Sequence, residues 1–352
     1  AAQKEESSLT VQIDRFQPII DFPNFLLIVL KLTRMEHSDF MPTDFILDDK
    51  ELLNEFKKAL EVVKDKSKFV KQFTFNLLKA KFFLDNYIVH HSLNDREMVG
   101  DNPWKLQKFY MESSKNRYFK NLADKDKDEG VQLELVHLLS MFEVAFTPKQ
   151  RKNYLFYCLL YLFEEPDHTI KTYFKFLQKL AAKYFYNIYL APEYLTERKQ
   201  PKPNAFDFAL LKNGELNTND IGNKNIDYKK KFLEIYQQGR SDIPLFVFNY
   251  TEYILWKKYS KELRGKNTKK TSKERIQFFE ELGCSDFDLP PFRNFYFSRT
   301  RKSLEHFYPQ AKARDEQSLS IEEINCFGNF AMIGAEANSS GSNLAPKAKL
   351  NR

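Results

Sequence analysis

The stretch Ser303-Leu304-Glu305-His306-Phe307-Tyr308-Pro309-Gln310, followed by Gly328-Asn329-Phe330 and Asn338-Ser339-Ser340-Gly341-Ser342-Asn343, decides how this chain is read. Nowhere else in the sequence do a histidine, a carboxylate and amide side chains recur in an order that suggests chemistry. What precedes it reads as a helical body that would carry and position it.

Working outward, Phe292-Arg293-Asn294-Phe295-Tyr296-Phe297 follows the break at Pro290-Pro291. High β propensity after such a break predicts short strands and the start of a new small domain. Upstream, the window Lys257–Arg275 holds Lys257, Lys258, Lys261, Arg264, Lys266, Lys269, Lys270, Lys273 and Arg275 against Glu262 and Glu274. Its excess of seven positive charges equals the +7 of the whole chain, so the basic character is concentrated here. One reading is a solvated helix end and loop. The other is a phosphate-contacting patch, favoured beside a site for phosphodiester chemistry, with Arg299 and Arg301 assigned to the same interface.

Further towards the N-terminus the apolar residues recur with helical spacing. Asp21-Phe22-Pro23 is a helix-start signal, and Phe25-Leu26-Leu27-Ile28-Val29-Leu30 is apolar nearly all round, which predicts a buried helix. Asp48-Asp49 precede a stripe of Leu52, Leu53, Phe56, Leu60 and Val63. A third helix is expected from Phe69 to Ile88, ended by His90-His91, whose rings would diverge too far on a helix to share a metal. Residues 93–128 read as polar and broken, with Trp104–Tyr110 fitting a short strand or a helical turn. Helices are expected at Gln132–Phe146 and Tyr154–Phe163, with His137 a hydrogen-bonded core residue. Asp167 is the expected N-cap of an aromatic helix reaching Leu190. Residues 191–228, rich in Pro, Gly and Asn, read as loop or hinge, and helices follow at Tyr228–Tyr236 and Leu245–Tyr259.

A chain of 352 residues with 42% apolar content can bury a substantial core, and its 34 Phe and 18 Tyr predict aromatic packing between helices. Cys158, Cys284 and Cys326 are odd in number and far apart, which excludes a Cys-x-x-Cys zinc knuckle and fits a reduced, cytoplasmic protein. No apolar run reaches the roughly 20 residues that a membrane span needs. The first residues, Ala1-Ala2-Gln3, point to a piece of a longer chain.

Hydrolysing a phosphodiester requires a base with a pKa near neutrality, which favours histidine. It also requires a hard divalent cation to stabilise the departing oxygen. Such a cation prefers carboxylate and amide oxygens over thiols. The segment offers His306, Glu305 and several asparagines, an inventory that suits one Mg²⁺-like ion and one base. Residues 305 and 306 of a regular strand face opposite sides, so one site can use both only if the backbone turns there.

Glu305-His306-x-x-Pro309-Gln310, then Gly328-Asn329-Phe330, then Asn338-Ser339-x-x-Ser342-Asn343, resembles the HNH (ββα-metal, His-Me finger) nuclease domain. In particular it resembles the version at the C-terminus of GmrSD-type modification-dependent restriction enzymes, with Asn329 lying 23 residues after His306 and Asn338 nine after Asn329. Asp21–Leu27, Leu47–Leu53 and Tyr250–Trp256 are similar to the helical middle of that family.

The resemblance implies His306 as the general base and Glu305 as a metal ligand. Asn329, on the second strand, would hold the His306 backbone or ring. Asn338, opening the last helix, would be the second ligand, with Asn343 as the alternative. One Mg²⁺ or Mn²⁺ ion would serve, with DNA as substrate and defence against foreign DNA as the role.

Two departures stand out. No Asp-Gly-Gln-Gln-Arg string is present, so the ParB-like N-terminal domain is expected to be missing or supplied by a partner subunit. The chain also stops at Arg352, ahead of the helices with which the family continues. The expected architecture is therefore mainly α: a multi-helix body over 1–285 with a basic loop near 257–275, then an incomplete α+β ββα nuclease segment over 286–352. The rival expectation is a catalytically silent helical scaffold that binds nucleic acid or a partner subunit through the basic window.

Overall fold

The computed structural model describes residues 16–17, 19–92, 103–113, 116–123, 125–197, 200–236, 243–263, 273, 277, 295–311 and 319–334. Among them, helices dominate and the strands form small antiparallel sheets.

Helix α1 (Phe22–Met35) starts where the sequence places it. Asp21 accepts the Asn24 backbone N–H at 2.9 Å, and Pro23 occupies the first turn, where its missing N–H costs nothing. Leu27, Ile28, Val29 and Leu30 have no exposed surface, as an all-round apolar helix requires. Helix α2 (Leu52–Val62) buries one side only, and Leu53 of the expected stripe faces solvent. Helix α3 (Lys66–Tyr87) packs on α1.

His90 and His91 do not end a helix. They lie in β2 (His90–Ser92), paired between β1 (Phe16–Gln17) and β3 (Trp104–Lys105). Ile88 and Val89 are fully buried and the backbone extends from Ile88 onward, so β pairing outweighs continuation of the helix. The ring of His90 reaches the Asp85 carbonyl at 3.1 Å, and that of His91 packs edge-on against Trp104. Strands β4 (Gln107–Ser113) and β5 (Asn116–Asn121) form a separate two-stranded ribbon.

Helix α4 begins at Lys125 and runs to Ala145, seven residues ahead of the expected Gln132. Its first turns are the charged run Lys125-Asp126-Lys127-Asp128. Helix α5 (Pro148–Glu164) starts with a capping box in which Thr147 and Gln150 satisfy each other's backbone N–H groups. The N-cap of α6 (Ile170–Lys183) is Thr169 rather than Asp167, because Thr169 makes the reciprocal bond with Thr172. The same helical path widens into a π-turn at Tyr184–Tyr189, which carries the aromatic run towards Leu190. Residues 191–228, expected as loop, contain α7 (Ala205–Leu210) and a hairpin of β6 (Leu211–Lys212) and β7 (Glu215–Leu216).

Helices α8 (Tyr228–Tyr236) and α9 (Leu245–Leu263) follow, and α9 packs on α4. At the centre, Phe146 stacks on Phe246 at 5.3 Å, and Tyr184 meets both rings edge-on. Cys158 and Cys326 carry free thiols. Among the described residues no helix is long and apolar enough to cross a membrane.

α7 explains one buried charge. Lys31 of α1 is fully buried, and its Nζ donates to both oxygens of Asp207 at 2.8 and 2.9 Å and to the Phe45 carbonyl. Tyr157 donates its hydroxyl to Asp207 at 2.6 Å. Burial lowers the Lys31 pKa and raises that of Asp207, and their mutual attraction opposes both shifts.

Candidate active site

The segment after residue 294 is built onto the helical body. His137 of α4 is buried; its Nε2 lies 2.8 Å from the Phe295 carbonyl and its Nδ1 lies 2.9 Å from that of Leu133. Its ring stacks flat on Trp256 with centroids 3.8 Å apart, so the expectation of a hydrogen-bonded core histidine holds. Trp104 donates its indole N–H to the Phe297 carbonyl at 2.6 Å. These bonds fix the approach to β8 (Arg301–His306).

β8 pairs antiparallel with β9 (Phe330–Gly334), with Leu304 opposite Met332, Glu305 opposite Ala331 and His306 opposite Phe330. The alternation is regular from Ser303 onward, and the one register shift lies between Arg301 and Ser303. Leu304 and His306 therefore share the buried face with Phe330 and Met332, where the His306 ring lies 4.6 Å from that of Phe330. Glu305 occupies the opposite face. The strand does not turn between the two residues; it ends just after His306, in the bend at Phe307-Tyr308 ahead of Pro309.

Between the strands, Ser320 and Glu323 form a capping box that starts the short helix α10 (Ile321–Ile324). Asn325 follows, and its side-chain oxygen lies 2.9 Å from His306 Nε2. Gln310 completes the group, with its amide nitrogen 3.4 Å from the same oxygen and 3.3 Å from His306 Nε2. Asn325 Oδ1 can only accept, so its contact with Nε2 is a hydrogen bond in the tautomer that carries the proton on Nε2 and the lone pair on Nδ1, whereas the Gln310 amide N–H can bond Nε2 only in the other tautomer. The sequence reading missed Asn325. Its signal was the Ser-x-x-Glu capping box, which predicts a short helix ending beside it.

Asn329 sits in the 3-10 turn Phe327–Asn329, one residue before the strand on which it was expected. It clamps the chain after the histidine. Its Oδ1 accepts the Tyr308 N–H at 2.7 Å, its Nδ2 donates to the Tyr308 and Ile324 carbonyls, and its own carbonyl accepts the Phe307 N–H at 2.8 Å. These bonds go to residues one and two positions downstream of His306, rather than to the His306 backbone or ring as expected.

The hairpin leans on α8 and α9. Phe327 packs against Phe248 and Phe232, and Phe330 meets Phe248 edge-on. Arg301 pairs with Glu252 of α9 and donates to the Met332 carbonyl. Burial raises the Glu252 pKa and Arg301 pulls it back down. Arg299 lies close enough to the buried Glu143 carboxylate to lower its proton affinity. Lys257 reaches Glu134 at 3.8 Å and covers the Phe174 ring. These three cations of the expected interface thus also have partners within the fold.

Lys258 lies in α9 and Lys273 is exposed. Lys261 is a further α9 position, while Arg264, Lys266, Lys269, Lys270 and Arg275 lie outside the described residues.

Two metal ligands expected from sequence, Asn338 and Asn343, also lie outside the described residues. Among the described residues no cluster of three or more His, Cys, Asp or Glu side chains could hold a metal ion. Glu305 offers a hard carboxylate, but from the face opposite His306. The described residues alone therefore do not make up a site for a divalent cation.

Residues 224–352 match the family model described as GmrSD restriction endonucleases, C-terminal domain. This match spans α8, α9 and the β8–β9 hairpin, so it takes in the helices on which the hairpin rests. It supports a restriction endonuclease-type nuclease in defence, with DNA as the substrate such a family acts on. No curated protein and no solved structure matches the chain.

Proposed function

We propose that this chain is an HNH-type DNA endonuclease of a cytoplasmic defence system in which His306 is the general base. The observation that carries this reading is the fixing of His306 at a strand end by Asn325, with Asn329 clamping the chain beyond it, inside a region similar to restriction endonucleases. With Nε2–H donated to Asn325, Nδ1 takes the proton of the water that attacks the phosphorus. Asn325 then accepts the hydrogen bond of the imidazolium that results, as it did that of the neutral ring. Asn329 holds the turn that follows the histidine.

A Mg²⁺ or Mn²⁺ ion belongs to the same reading, with Asn338 and Asn343 as the residues that would hold it, while Glu305 points from the face opposite His306 and would not reach the same site without a turn in the strand; the ion would supply stabilisation of charge on the departing oxygen. Completion by a ParB-like domain or partner subunit is also part of it.

The test is supercoiled-plasmid nicking by the whole chain in Mg²⁺ or Mn²⁺. His306→Ala is expected to lower the rate by about 10²–10⁴-fold with DNA binding retained, and a chelator is expected to stop cleavage. Equal nicking by His306→Ala and wild type would remove the assignment.

A further inference from the structure

The ribbon of β4 and β5 presents aromatic rings on both faces and pairs with no third strand among the described residues. On one face Phe109 and Phe119 pair across the strands with centroids 5.6 Å apart; on the other Tyr110 stacks on Tyr118 at 6.0 Å and 15°. All four remain well exposed, at 53%, 47%, 41% and 38%. An isolated two-stranded ribbon gains little stability from such pairs, and a monomeric surface rarely gathers so many rings without a binding role.

The Phe109–Phe119 face borders a cleft of about 800 Å³ between α1, α3 and the ribbon, large enough for a ligand and lined also by Phe22 and Phe82. Cations accompany the rings. Lys105 and Lys120 are exposed, Lys120 lies 6.0 Å from the Tyr110 ring centre, and Lys108 sits over the Tyr87 ring.

Flat rings offer π faces that any base can stack on, and lysines between them complement a phosphate backbone. A protein partner would call for apolar anchors but not for cations spaced among them. The ribbon's root is tied to the proposed active-site segment, because Trp104 of β3 holds the Phe297 carbonyl just ahead of β8.

We propose that the β4–β5 ribbon and its cleft bind unpaired DNA, with bases stacked on Phe109, Phe119, Tyr110 and Tyr118 and phosphates met by Lys105 and Lys120. The choice of DNA rests on the nuclease reading; the preference for unpaired bases rests on the ribbon alone. Such a surface would engage a strand opened or melted near the cut.

The experiment measures anisotropy of fluorescein-labelled oligo-dT and of a duplex of equal length, using the whole chain with His306→Ala to prevent cleavage. Oligo-dT is expected to bind more tightly than the duplex. Phe109→Ser with Phe119→Ser is expected to lower oligo-dT affinity by roughly tenfold or more, and Lys105→Glu with Lys120→Glu to lower it and its salt dependence. Phe109→Leu with Phe119→Leu keeps apolar bulk without a flat ring and reads the same loss if the serine pair fails to fold.

Duplex binding as tight as oligo-dT binding, or unchanged oligo-dT affinity in the leucine pair, would overturn the proposal. So would a wild-type dimer by light scattering that the leucine pair disperses, since the ribbon would then serve a second copy. A chain that prefers oligo-dT but never nicks plasmid refutes the nuclease reading alone; one that nicks without the preference refutes the ribbon site alone.

Discussion

Asn325 is the residue on which the proposed chemistry turns, because its side-chain oxygen bonds His306 in the tautomer that carries the proton on Nε2 and the lone pair on Nδ1. Asn325→Leu removes that acceptor while leaving His306 in place. Plasmid-nicking rates are expected to fall by roughly 10–100-fold, as for other groups that orient a catalytic histidine. Nicking at the wild-type rate would reduce Asn325 to a structural residue. His306, Glu305 and Asn329 stood out in sequence because their order and spacing resemble a known motif, though Glu305 lies on the face opposite His306. Asn325 was not, since an amide that meets a histidine across a loop leaves no periodic trace.

At the scale of elements, the buried charges make the sharper predictions. Lys31 and Asp207 satisfy each other between α1 and α7. Asp207→Leu alone strands the ammonium in the core and is expected to cost about 3–5 kcal/mol; adding Lys31→Met should recover much of that loss. Denaturant midpoints of the single and double variants check it.

Glu143 of α4 behaves differently. Burial raises its pKa to about 7, although Arg151, Tyr154 and Arg299 pull it down. Between an unfolded carboxyl near 4.5 and this value, the folded chain holds a proton that the unfolded chain has released. Its contribution to stability is therefore complete below pH 4.5, falls as pH rises towards 7, and is level above. Glu143→Gln should remove that slope, at most about 1.4 kcal/mol per pH unit. Thermal unfolding across this window would show it, and an unchanged slope would contradict it.

Helix α1, with its apolar run and cap, could be read directly, whereas α5 was expected from Tyr154 and starts six residues earlier, at Pro148. The start of α4 could not be read, because its charged first turns carry no apolar period. β5 was missed for a related reason: both faces of the ribbon are exposed, so its aromatic residues do not alternate with polar ones. β2 depends on partners far away in sequence, which no local pattern reveals.

For the molecule as a whole, the question is how the body holds the hairpin. Trp104, His137 and the α9 aromatics tie residues 295–334 to the helices, so hairpin and body bury apolar surface together. Trp104→Phe leaves the Phe297 carbonyl without its donor and should cost about 1–3 kcal/mol, with nicking reduced at temperatures where folding is intact. A lower midpoint with full activity would show that the approach to β8 does not position the histidine.

The basic window is expected to act at the same scale. Replacing Lys266, Lys269 and Lys270 with Ala should flatten the salt dependence of DNA binding by roughly three units of slope at most. An unchanged slope would remove these lysines from the interface.

Chemical rescue bears most directly on the central claim. His306→Gly should be inactive in plasmid nicking with Mg²⁺, and added imidazole should restore part of the rate in proportion to its free-base form. A His306→Gly chain that nicks at the wild-type rate without imidazole would contradict the account.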